Sequence, residues 1–330
     1  MASAAPVLAI VQRLLDEQRF KTAVETLVAA ADTGNATALA ELAQWRIAGN
    51  LIRRDLAAAR ALLERAWAAG SEEAGLLYAG FLASAVGGPG DWAGAVDALH
   101  ALTPRRAQAA TQLRLIEAMR LRPDGAADAP IARRSLSQSP HVEYAEGLFT
   151  PQECAYLLAV GAPNYQRSLV ADPRTGQMMP HPVRRSDAAM LGVHLEDVAV
   201  NALNRRIAAF SATDVLQGEP LQLLRYHPRD EYRTHLDVLP GEPNQRVMTV
   251  LVYLSDDYGG GETVFPRASL KVRGGVGDAI LFRNVDALGN PDRGSEHAGL
   301  PVTRGTKYIA SRWIRARRFA YPPPRPLLEV

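Results

Sequence analysis

The sequence predicts a multi-domain α + β chain: an N-terminal α-helical repeat, then a β-rich jelly-roll domain with flanking helices. Two observations carry this. Residues 7 to about 120 are rich in Ala and Leu, with apolar positions three and four apart, as amphipathic helices require. Beyond residue 142, short runs of β-branched and aromatic residues alternate with Gly- and Asp-rich turns, the texture of an antiparallel sandwich or jelly roll. A chain of 330 residues has room for two such cores. We divide it into a helical domain over 1–125, a linker over 126–141 and the β domain over 142–330.

Composition excludes several classes. A formal net charge of +2 gives no basis for binding nucleic acid or an acidic membrane surface. Cys154 is the only cysteine, so neither an intrachain disulfide nor a thiolate zinc cluster can form. The first residues lack a basic n-region followed by a long apolar core, and no run of about 18 uncharged apolar residues follows, so neither a signal peptide nor a membrane span is expected. The expected location is cytoplasmic.

In the first third, Ala23, Leu27, Ala30, Gly34, Ala38 and Ala43 recur 36 residues later as Ala59, Leu63, Ala66, Gly70, Ala74 and Ala79. Each unit reads as helix, Gly-containing turn, helix, with Ala at the positions of close approach. A third, degenerate unit begins at Trp92 with Ala95 and Leu99 and is broken by Pro104. With Ala-Ala-Gly at 68–70, the repeat resembles the Sel1-like branch of the tetratricopeptide solenoids. Such stacks offer a concave face to a peptide or protein; a cap on the neighbouring domain or a dimer interface is the alternative. Trp45, Trp67 and Trp92 are read as core.

Pro, Gly and Ser between about 121 and 142 mark the seam. Thr150 before Pro151-Gln152-Glu153 is the signature of a capped helix over 151–160, with a capping box from Glu153. Cys154, on one face of that helix, is expected to be a buried structural thiol. Residues 166–187 are dominated by turn formers and read as a long excursion of the lid or binding-loop kind. Arg184-Arg185-Ser186 follow and could meet substrate, and 191–210 reads as a helix packed on a sheet.

The segment Leu221 to Leu239 favours strands, and in a strand His235 and Asp237 would project from one face. One further ligand would complete two nitrogens and one oxygen on a metal, the facial triad of non-haem Fe(II) oxygenases. With seven histidines, a chance His-x-Asp or His-x-Glu arises at roughly even odds. The surrounding fragments decide the matter. They are Arg225-Tyr226, Tyr232-x-x-His235-x-Asp237, Thr249-Val250-Leu251-x-Tyr253-Leu254, Gly260-Gly261-Glu262-Thr263-x-Phe265-Pro266, Gly277-Asp278-Ala279-x-Leu281-Phe282, His297-Ala298-Gly299-x-Pro301-Val302, and Gly305-x-Lys307 with Trp313.

In this order, the fragments give residues 142–318 a specific resemblance to the prolyl 4-hydroxylase group of Fe(II)/2-oxoglutarate dioxygenases, whose fold is a double-stranded β-helix. One departure is Leu300, where animal and plant members commonly have Cys. The resemblance implies that His235, Asp237 and His297 bind Fe(II) and that Lys307 pairs with the distal carboxylate of 2-oxoglutarate. It implies hydroxyl donors to 2-oxoglutarate at Tyr226 and Thr249, each equally readable as a satisfied strand hydroxyl, and Trp313 near the site, with core packing as the alternative reading. It also implies O2 as cosubstrate, succinate and CO2 as co-products, and ascorbate as a reductant. A carboxylate at 237 points to hydroxylation rather than halogenation. His227 should face away, and His100, His141, His181 and His194 have no ligand role. The expected substrate is a prolyl or other residue of a peptide or protein held by the repeats. The alternatives are a free amino acid or small metabolite, with helices that only stabilise or dimerise the enzyme, and a non-catalytic binding scaffold.

Overall fold

The protein is described here from a computed structural model, covering residues 5–171, 178–180, 183–321 and 324–328. It divides into two compact units, Met1–Gly125 with Glu196–Asn201 and Ala320–Val330, and Ala126–Leu195 with Ala202–Phe319.

The first unit is built of helix pairs. After an opening helix, Ala5–Asp16, helices start at residues 20, 56 and 92, and their partners at 36, 72 and 107. The period extends to the caps. Asn35 and Ser71 each accept from the backbone N–H three residues on, and Asp55 and Asp91 do the same one helix later. Gly34 and Gly70 turn the chain at φ of 81° and 101°, a region glycine enters without steric cost. Ala23, Leu27, Ala38 and Ala43 are buried, as are their counterparts Ala59, Leu63, Ala74 and Ala79. The third pair is Trp92–Leu102 and Ala107–Ala118. Pro104 lies in the turn between these two helices, so it punctuates the third unit without breaking it. The helix starting at Ala107 has no side-chain cap, and this marks the degenerate repeat. Trp45 is buried, its indole N–H donating to Glu41, whereas Trp67 and Trp92 are only half-buried.

The second unit is a jelly roll of antiparallel strands. Its large sheet runs from edge to edge as Arg134–Gln138, His141–Ala145, Ala279–Arg283, Arg246–Tyr253, Lys307–Arg315, Leu221–Tyr226, Asp187–Leu191 and Gln166–Arg167. A smaller sheet orders Leu270–Val272, Thr263–Phe265, His297–Gly299 and Tyr232–His235. Residues of both sheets share one apolar core, including Leu224, Leu251, Phe265, Phe282 and Ile309. The longest central strands are rich in Val, Leu, Ile and Tyr, residues that fit a pleated surface buried on both faces.

Three expectations shift. The second half of 126–141, expected as linker, is an edge strand, and its Arg-Ser-Leu-Ser-Gln is polar as edge strands are. The helix expected over 191–210 starts at Val198, because 187–191 pairs as a strand and Gly192 to Asp197 turn, with Asp197 accepting from the Val200 N–H. The stretch 221–239 is two strands in different sheets, broken where Asp230 folds back to accept the His227 N–H. In the excursion 166–187, a two-stranded ribbon pairs Leu169–Ala171 with Met178–Pro180. Residues 172–177 and His181-Pro182 lie outside the described residues.

The helix Pro151–Gly161 carries the expected capping box: Thr150 Oγ1 accepts from the Glu153 N–H and Glu153 Oε2 from the Thr150 N–H. Glu153 also accepts from Arg206 at 2.6 Å with both side chains largely buried. Cys154, on the same helix, is buried, and burial pushes its thiol up to about 12, so it stays protonated. Glu153→Ala removes the reciprocal half of the capping box and leaves the Arg206 charge without its carboxylate. We expect it to destabilise the chain by about 3 kcal/mol in denaturant unfolding, with Glu153→Gln, which keeps the acceptor, losing less.

Candidate metal centre

Two adjacent strands of the small sheet bring the histidines together. His297 and His235 stand opposite one another in the ladder, and their rings lie 4.2 Å apart between centroids. Asp237 comes just past the end of its strand rather than within it, and the chain bends at Asp237, bringing its carboxylate to the same spot. Its Oδ1 lies 3.5 Å from His235 Nε2 and its Oδ2 3.8 Å from His297 Nε2. One ligand atom from each of the three residues falls within 4.8 Å of the others.

The protonation states suit a cation. The His235 Nδ1–H donates to the Arg233 carbonyl at 2.8 Å, and the His297 Nδ1–H to the Ser295 carbonyl at 3.0 Å. Each backbone acceptor fixes the tautomer and turns Nε2, with its lone pair, toward Asp237. Burial pushes His297 down to about 4 despite the pull of Asp237, so its imidazole is neutral at neutral pH. Burial opposes charge on Asp237 as well. The neighbouring His297 and His235 and the Thr249 hydroxyl outweigh it and hold the carboxyl well below the usual range. Finally, His235 Nε2 is buried with no hydrogen-bond partner. An orphaned nitrogen there, beside an ionised carboxylate and a second neutral imidazole, is the donor set a ferrous ion takes.

The walls come from alternate residues of the large sheet. Lys307, Ile309, Ser311 and Trp313 follow the period of two along one strand, and Leu224 and Tyr226 line the cavity from its neighbour. Lys307 pairs with Tyr226 in the ladder and lies 3% exposed. Its ammonium donates to the Gly261 carbonyl at 2.6 Å and sits 5.6 Å from the Tyr226 ring and 5.7 Å from that of Tyr253. Burial pushes it down to about 8, with partial relief from Glu262. A buried ammonium with a neutral acceptor is short of counter-charge, and an anionic ligand supplies it. Burial holds the Tyr226 hydroxyl protonated. Trp313 faces the cavity with its indole N–H unpartnered, its ring stacked under Arg246 at 3.8 Å.

One expected residue is misplaced. Thr249 faces inward, opposite Trp313, but does not line the cavity. Its hydroxyl donates to Asp237 Oδ2 at 2.6 Å and is consumed there. The hydroxyl that does reach the cavity is that of Thr263, which accepts from Tyr253 at 3.2 Å and keeps its own proton to give. Its signal was present in the Gly-Gly-Glu-Thr fragment, next to the glycine whose carbonyl meets Lys307. Tyr232, also unassigned from sequence, stacks on His235 at 3.5 Å and lies below the Arg184 guanidinium at 5.6 Å. His227 stands apart, beside Asp187, with His194 exposed and His141 next to Glu143; His181 lies outside the described residues.

The chain is similar to known proteins. Residues 221–315 match the 2OG-Fe(II) oxygenase superfamily. Prolyl 4-hydroxylase 1 of Arabidopsis thaliana is 36% identical over 202 residues, covering 55% of this chain and 71% of that protein. Among solved structures, the viral collagen prolyl hydroxylase of Paramecium bursaria Chlorella virus-1, in its 2OG complex, is 26% identical with a TM-score of 0.42, over 53% of this chain and 96% of that one. A Sel1 repeat protein of Oxalobacter formigenes is 22% identical with a TM-score of 0.32, over 34% of this chain and 88% of that one.

Titrating the full chain with Mn(II) tests the centre without turnover. His297→Ala should abolish binding, whereas His194→Ala, on an exposed residue far along the chain from the three ligands, should leave it intact; equal loss from both would refute the third ligand.

Proposed function

Because the chain belongs to the prolyl 4-hydroxylase family of 2OG-Fe(II) oxygenases, we propose that it hydroxylates a prolyl residue of a peptide or protein. It is a 2-oxoglutarate-dependent dioxygenase using Fe(II), 2-oxoglutarate and O2. The observation that supports the reading best is a buried ammonium and a buried His–Asp–His group lining one cavity.

His235, Asp237 and His297 would hold Fe(II), which when bound supplies O2 activation coupled to decarboxylation of 2-oxoglutarate to succinate and CO2. The chain's own residues then do the positioning. Lys307 would pair with the distal carboxylate, and Thr263 would donate its free proton to the same end. The Tyr226 hydroxyl is a further donor on that wall. Leu224, Leu251 and Ile309 exclude water, so these polar groups act in a low-dielectric space. Trp313 and Tyr232, with broad rings at the same cavity, suit a compact, apolar pyrrolidine ring. The 36-residue helical repeat is of a type that presents an extended face to a peptide, and this supports a role in holding the substrate, or alternatively in dimerisation. Ascorbate as auxiliary reductant and a cytoplasmic location complete the proposal.

The direct test compares native-proteome peptides with and without active enzyme by mass spectrometry. Addition of one oxygen on proline is the expected result. Oxidation confined to free metabolites would overturn the peptide assignment.

The Lys307 ammonium also predicts a pH dependence. Only its charged form pairs with a carboxylate, and burial lowers its pKa to about 8. The KM for 2-oxoglutarate should therefore rise as pH increases through that region. Lys307→Arg, charged throughout, should flatten the rise even if its absolute KM is worse.

A further inference from the structure

We propose that Asn284 is a positioning residue for the metal carboxylate, acting through Thr249 to fix the direction of a hydrogen-bond chain that ends on Asp237. The inference rests on reading His235, Asp237 and His297 as the ligand set. Asn284 Nδ2 lies 2.9 Å from Thr249 Oγ1, which lies 2.6 Å from Asp237 Oδ2. The three side chains are 0%, 1% and 5% exposed, so water does not compete for these bonds.

The polarity of the chain follows from Asp237. An ionised carboxylate only accepts, so the Thr249 proton points at Oδ2. The Thr249 oxygen is then left with lone pairs, and whatever faces it from the other side must donate. The amide nitrogen of Asn284 does this, and its oxygen could not. Turning the nitrogen to Thr249 leaves Asn284 Oδ1 buried without a partner. An unpaired buried acceptor is a cost with no return in packing or bonding, so the amide is not retained for its oxygen. What remains is the donation to Thr249.

The backbone holds the amide in place. The Asn284 N–H donates to the Val247 carbonyl at 2.9 Å, and its own carbonyl accepts from the Asp292 N–H at 2.9 Å. Phe282 stands opposite Thr249 in the ladder, and Asn284, two residues on, follows it on the same face. The strand that leads to Asn284 thus continues into the loop that delivers His297. With Oδ2 held by a hydroxyl that cannot reverse, Oδ1 remains on the side of His235, 3.5 Å from its Nε2. The carboxylate is thereby presented through a single oxygen, which keeps positions on the ion open for other ligands.

A double-mutant cycle read by Mn(II) titration of the full chain, without 2-oxoglutarate, tests this. Asn284→Leu and Thr249→Val should each weaken Mn(II) binding about tenfold, the usual effect of losing a group that orients a ligand. The double variant should lose no more than Thr249→Val alone, because Asn284 acts only through the hydroxyl. Thr249→Ser, which keeps the hydroxyl, should restore affinity, and Asn284→Ala replaces the leucine variant if that one does not fold. In Asn284→Leu, the visible spectrum of bound Co(II) should shift as the carboxylate turns. Losses that add in the double variant, or unchanged Mn(II) affinity in a folded Asn284 variant, overturn the role. A wild-type chain that takes no Mn(II) would instead refute the ligand set itself.

Discussion

The pairing of His297 with His235 across two neighbouring short strands is the constraint on which the site depends. Side chains opposite one another in an antiparallel ladder are held within contact distance by the backbone itself, so two imidazoles converge without any bond between them. Everything else is arranged to make that convergence useful. Backbone carbonyls two residues before each histidine fix both rings in the tautomer that offers Nε2. Phe265 and Phe282 pack against the His297 ring and keep it dry and neutral. The same burial that lowers the basicity of His297 would drive Asp237 toward its neutral form, were it not flanked by two imidazoles and given a hydroxyl. The centre is thus a balance between desolvation and a few short polar contacts, which a cation resolves.

The cavity holds a second unresolved charge of the opposite sign. Lys307 is buried on the large sheet with one carbonyl and two aromatic rings for company. Separately, each buried ion is costly. Together they define a complementary field: a cation site and a fixed ammonium lining one cavity with apolar residues. A short dicarboxylate keto acid meets both requirements, one end ligating the ion and the other neutralising Lys307. Function here comes from strain of solvation rather than of geometry, and the jelly roll supplies two rigid sheets on which to hold the opposed charges.

Much of this was legible in sequence, because strands and repeats obey simple periods. The 36-residue helical period is repeated down to its capping residues, and the run from Lys307 to Trp313 lines the cavity at every second position. Where reading failed, the reason was reach rather than type. Thr249 was read as a donor to 2-oxoglutarate or as a satisfied strand hydroxyl, and nothing in the spacing reveals that Asp237, past the end of its strand, would come within 2.6 Å and take its hydroxyl. Thr263 lies on a three-residue strand too short to show a period, so its face could not be inferred. The segment 221–239 looked continuous because Tyr226 and Tyr232 both favour strands; the fold-back at Asp230 that sends them to different sheets is held by bonds to distant Val302 and Arg167 as well as to His227, which spacing does not reveal.

The two threonines show how one residue type serves opposite purposes according to what stands behind it. Thr249 has an amide donor behind it and so must spend its proton on Asp237. Thr263 also has a donor behind it, the Tyr253 hydroxyl, but faces open cavity and so retains a proton for a ligand. Tyr253 itself is fully buried, and burial keeps its hydroxyl protonated, so it can donate to Thr263, but a hydroxyl can also accept, whereas the amide nitrogen of Asn284 only donates. At Thr249 alone the direction is fixed from both ends, by an amide that must donate and a carboxylate that must accept. One hydroxyl steadies the carboxylate that would meet the metal, and the other belongs to a residue lining the cavity that Lys307 shares. The direction of the Thr249 bond, and not merely the presence of a polar side chain, is what ties Asp237 into the site.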